Sequence, residues 1–70
     1  MSLYTVVVHK TQTGYVVKAP TETIPLTNMK AVERKLRTYN VNQEEFREKF
    51  ESVLDHCETA SIERSYAKFL

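Results

Sequence analysis

The chain has 70 residues, 41% of them hydrophobic and 27% charged, with one glycine and two prolines; this is the composition of one small globular domain, not of a disordered or fibrous segment. Ten basic and nine acidic side chains leave a formal net charge of +1, so bulk charge points to neither nucleic acid nor a membrane surface. The lone cysteine, Cys57, excludes an internal disulfide framework and fits a cytoplasmic setting, and no apolar run is long enough for a transmembrane span or a signal-peptide core.

Residues 3–10 are dense in β-branched and aromatic types, and period two puts Tyr4, Val6 and Val8 on one face with Leu3, Thr5, Val7 and His9 on the other. Thr11-Gln12-Thr13-Gly14 reads as a tight turn in which the only glycine takes a left-handed conformation. Tyr15 to Ala19 returns as a second strand, which Pro20 ends because it has no N–H to donate. Residues 21–28, with Pro25 among polar neighbours, read as a connector.

Met29, Val32, Leu36 and Tyr39 follow at steps of three, four and three, which predicts a helix over 29–39 capped by Thr27 or Asn28 and ended by a left-handed Asn40. Asn42 followed by Glu45 predicts a capping box, with Val41 and Phe46 as its hydrophobic staple. Phe46, Phe50, Val53, Leu54 and Cys57 then line one face of a second helix through about residue 57, which places Cys57 in the core and leaves His56 exposed. Beyond it, Ile62, Tyr66, Phe69 and Leu70 sit at helical spacing, the preferred reading. The alternation of Ala60, Ile62, Arg64 and Tyr66 with Thr59, Ser61, Glu63 and Ser65 also suits a strand that would join the hairpin, since a two-stranded hairpin alone is marginal in water. The expected fold is therefore α+β: an antiparallel β-hairpin packed against two α-helices, with a C-terminal helix or third strand.

Charge is sorted along the chain. Residues 1–40 carry six basic and two acidic groups, and residues 41–70 four basic and seven acidic. Opposite charges on the two helices are expected to attract one another, with pairs such as Glu45–Lys49 supporting the second helix from within. Glu44, Glu48, Glu51 and Asp55, at steps of four, three and four, form an acidic stripe beside the apolar face. Like charges at that spacing repel, so the stripe does not serve helix stability and suits docking a basic partner or imitating a phosphate backbone. A helix-turn-helix is excluded as a mode of DNA binding, because its second helix would carry six acids and two bases into the phosphates.

Residues suited to catalysis are few. Asp55, His56 and Cys57 are consecutive and diverge around a helix, the two histidines and one cysteine match no zinc spacing, and one glycine cannot build a phosphate loop. The residues predict no enzyme, no cofactor and no metal. They predict a non-catalytic protein-interaction or regulatory module acting through Glu44, Glu48, Glu51 and Asp55, with Tyr66, Phe69 and Leu70 as an apolar contact that pairs two copies. The alternative is a nucleic-acid-binding regulator using Lys30, Arg34, Lys35 and Arg37 with the hairpin lysines Lys10 and Lys18. No membrane partner is expected.

Tyr4-Thr5-Val6-Val7-Val8, the short turn and Gly14-Tyr15-Val16-Val17-Lys18-Ala19-Pro20 resemble the opening hairpin of HicB-type antitoxins. That resemblance implies a small α+β domain that blocks a toxin ribonuclease, often joined to a DNA-binding segment. It covers about a quarter of the chain and stops at Pro20, and it carries no functional residue over.

Overall fold

The computed structural model describes residues 3–65. Strand β1 (Leu3–Thr11) follows the period-two pattern: Tyr4, Val6 and Val8 are buried, and Leu3 and Thr5 are exposed on the opposite face. Strand β2 (Gly14–Ala19) runs antiparallel to it, with Val8 opposite Val17 and Thr11 opposite Gly14. Gly14 has a φ of 151°, far from the left-handed helical value of about 57° expected of the turn. Its role is close approach. A Cβ here would press on the Leu26 carbonyl oxygen and stand 3.0 Å from the Thr27 Cα.

Residues 21–28 are not merely a connector. After a short turn at Pro20 and Thr21 the chain forms strand β3 (Glu22–Leu26), which pairs antiparallel with β2 through Ile24 opposite Val17. Glu22, Ile24 and Leu26 are half-buried and alternate with exposed Thr23 and Pro25. Pro25 concealed this strand in the sequence, yet proline is tolerated on an outer strand when its missing donor faces away from the ladder.

Helix α1 (Met29–Arg37) starts where expected, the Asn28 side chain accepting the Ala31 N–H at 2.8 Å. Its apolar face buries Val32 and Leu36, and Tyr39 is buried just beyond it. The end is a Schellman motif. Asn40 has a φ of 64°, Val41 N–H donates to the Leu36 carbonyl at 3.1 Å, and Asn40 N–H donates to that of Arg37 at 3.1 Å. Leu36 and Val41 are both buried, which supplies the apolar contact that accompanies the motif. Asn40→Gly is expected to hold or slightly raise the urea midpoint, and Asn40→Ala to lower stability by about 1 kcal/mol, because only glycine enters this region freely.

A second helix spans residues 43–54: α-helical Gln43–Phe46, a π turn at Arg47–Glu51 and a final Ser52–Leu54. Asn42 caps it, its side chain accepting the Glu45 N–H at 2.8 Å. The Glu45 carboxylate, however, does not return to the Asn42 backbone; it pairs with Arg64. In the π turn the Ser52 N–H reaches back to the Arg47 carbonyl, so the chain turns less per residue there than in an α-helix. Residues at steps of four, which drift around an α-helix, are thereby kept in line, and Phe46, Phe50 and Leu54 are all buried. The helix ends at Leu54, about one turn earlier than the apolar spacing predicts. Cys57 lies beyond it and is exposed, so its expected place in the core is wrong.

The final described element is a strand, not the preferred helix. Strand β4 (Thr59–Ser65) pairs antiparallel with β1, Ile62 opposite Val6 and Ala60 opposite Val8. The strand order is β3-β2-β1-β4, so the sheet has two strands more than the hairpin, and the class is α+β. One face of the sheet, through Tyr4, Val6, Val8, Val17 and Ala60, shares a single core with Val32, Leu36, Val41, Phe46, Phe50 and Leu54.

Candidate functional site

Two polar clusters tie helices to outer strands. On the β3 side, the Tyr39 hydroxyl donates to the Glu22 carboxylate, and Lys35 Nζ lies 2.9 Å from the same carboxylate. The Tyr39 bond, then Lys35, holds the Glu22 carboxyl below its ordinary value, while burial and then the bond to Glu22 push the Tyr39 phenol above its own. Folding thus favours the Glu22 carboxylate, a contribution present above the unfolded-state pKa and lost as pH falls through the folded one. It also favours the neutral phenol, a contribution complete below the unfolded-state tyrosine pKa and lost as pH rises through the folded one. Tyr39→Phe is expected to flatten the alkaline limb of a plot of urea stability against pH and to shorten the acid limb.

On the β4 side, Arg64, inward on the sheet opposite Tyr4, pairs with Glu45 of the second helix. These bonds decide how charge is distributed on the surface. Lys35 is engaged by Glu22 and Arg37 by Glu33 at 3.3 Å. Among the described residues no ion pair joins the basic first helix to the acidic second one, and Glu45 pairs with Arg64 instead of Lys49. The expected mutual attraction of the two helices is absent from these contacts.

Glu44, Glu48, Glu51 and Asp55 are all exposed, and among the described residues none takes part in an ion pair. The first two precede the π turn or lie within it, and Glu51 closes it. Asp55 follows the last helical residue, Leu54.

The basic candidates are divided. Lys30 and Arg34 are exposed and line a shallow recess with Glu33 and Arg37. Lys10 and Lys18 are exposed in the hairpin; Lys18 lies opposite Val7, on the sheet face away from the helices. Tyr66, Phe69 and Leu70 lie outside the described residues. His56 is exposed, and His9 shares a hydrogen bond with Thr59 at 2.9 Å, joining β1 to β4. No group of three or more His, Cys, Asp or Glu side chains among the described residues is placed to hold a metal, and no described helix is long and apolar enough to cross a membrane.

The sequence reading missed both clusters, which join residues far apart in the chain. The only available signal was the scarcity of acids, Glu22 and Glu33, in a predominantly basic half. Comparison with protein-family models, curated proteins and solved structures gives no match to this chain.

Proposed function

We propose that this chain is a non-catalytic protein-interaction module that contacts a basic partner through Glu44, Glu48, Glu51 and Asp55. The observation that carries the reading is the unequal use of charge. The carboxylates already paired are Glu22, Glu33 and Glu45, whereas Glu44, Glu48 and Glu51 on the exposed side of the second helix and Asp55 at its end are left without ionic partners among the described residues. Exposed acids without partners raise local repulsion within a helix, and a basic surface relieves it.

The nucleic-acid reading has weaker support. Two of the four helical bases, Lys35 and Arg37, are already engaged by carboxylates, which leaves Lys30 and Arg34 with the two hairpin lysines. The two readings separate in one titration, using a fluorescent lysine-rich peptide and mixed-sequence DNA and RNA at two salt concentrations. We expect peptide binding that the E44Q/E48Q/E51Q/D55N variant weakens by about tenfold or more, while E58Q/E63Q, which removes acids elsewhere, leaves it near the original value. Equal loss in both variants, or tighter binding to nucleic acid than to peptide, would overturn the proposal.

A further inference from the structure

The two outer strands of the sheet differ in how they meet solvent. An outer strand presents unpaired N–H and C=O groups, and proteins blunt such edges with proline, short length or charge. Strand β3 has five residues and contains Pro25. Strand β4 has seven and contains no proline; of its two charges, Arg64 is drawn inward to Glu45 and Glu63 is exposed on the face opposite the core. The direction of its free backbone groups follows from one bond. Lys10 N–H donates to the Glu58 carbonyl at 2.7 Å, and these two residues stand opposite one another in the register that sets His9 against Thr59. Closed and open pairs alternate in an antiparallel ladder. Ala60, Ile62 and Arg64 therefore bond to β1, and the N–H and C=O groups of Thr59, Ser61 and Glu63 point out of the sheet.

From this edge we infer that β4 is a self-association surface, on which a second copy of the chain pairs antiparallel about a two-fold axis at Ile62. This register sets all seven residues of β4 against seven of the partner. Ser61 with Glu63, and Thr59 with Ser65, form closed pairs across the axis, so each outward N–H and C=O is bonded. The two Ile62 residues form an open pair, the kind in which side chains approach most closely, and Ile62 is half-buried with room for cover. No like charges oppose one another. Moving the axis to Glu63 would set two carboxylates face to face, a destabilising arrangement. This interface differs in position and chemistry from the acidic surface of the second helix and does not rest on it.

Sedimentation equilibrium of the full chain, from micromolar to millimolar concentration, tests the inference. The wild type is expected to approach twice its 8.2-kDa mass. S61E places a carboxylate opposite Glu63 twice, once on each side of the axis, and should weaken association by roughly tenfold. S61K places an ammonium there and should retain or strengthen it. T23E, on the opposite edge strand, should leave it unchanged. Ser61 is exposed, and far-UV circular dichroism will confirm that each variant is folded. A wild type monomeric throughout, or S61E and S61K behaving alike, would overturn the inference.

Discussion

Phe50→Ala is expected to remove about 3–5 kcal/mol of stability, with the urea transition displaced well towards lower denaturant. Phe50 has no solvent exposure and stacks on Phe46 with ring centroids 6.1 Å apart. It sits in the π turn, in the row that faces the sheet. Truncating such a ring removes its burial and leaves a cavity, typically costing about 3–5 kcal/mol. A 70-residue domain has a total stability of roughly 4–10 kcal/mol, so one residue accounts for a large share of it. Cys57→Ser is the contrasting case. Because the helix stops at Leu54 and the thiol is exposed, its midpoint should remain within about 0.5 kcal/mol of wild type, the usual range for an exposed site. If the two losses proved comparable, the described end of the second helix would be wrong.

Gly14→Ala is the second large effect, expected at about 2–3 kcal/mol. Two penalties coincide. The φ of 151° is one that residues with a side chain rarely adopt, and the added methyl would press on backbone at the end of β3, the Leu26 carbonyl and the Cα of Thr27 just after it, which cannot rotate away as a side chain could. Relief requires β3 to separate from β2 near Leu26 while Val17 and Ile24 remain paired further along. Amide exchange should therefore accelerate most around Leu26 and Thr27, and least in β1 at the centre of the sheet. Uniform acceleration across all strands would mean that the strain is not local to this contact.

Local chemistry made much of this fold legible. Alternating valines marked β1 and β2, Asn28 and Asn42 marked two helix starts, and Asn40 marked a stop, because each depends on residues within one or two turns of itself. The misreadings have identifiable causes. Pro25 masked β3, since proline is a breaker in central strands but not in outer ones. The periodic reading ran the second helix on to Cys57 because it assumed an unbroken α-helical pitch, whereas a π turn re-aligns the apolar row and the helix ends early. Thr59 to Ser65 offered two periods at once, and pairing with β1 favoured the strand. The acidic residues were recognisable as an exposed set from their place beside the apolar face. Which carboxylates would be consumed by the fold was not, because Glu22 meets Tyr39 and Lys35, and Glu45 meets Arg64, only after the strands assemble.

The claim on which the functional account rests is that the exposed acids of the second helix are spare to folding. Urea unfolding of the E44Q/E48Q/E51Q/D55N variant measures this without knowledge of the partner. With no ion pair to lose and mutual repulsion removed, its stability should equal or slightly exceed that of the wild type, after a few tenths of a kcal/mol lost where Glu44 faces the helix N-terminus. A loss well above about 1 kcal/mol, the scale of a removed structural charge interaction, would show that these carboxylates hold the fold together and would contradict the account.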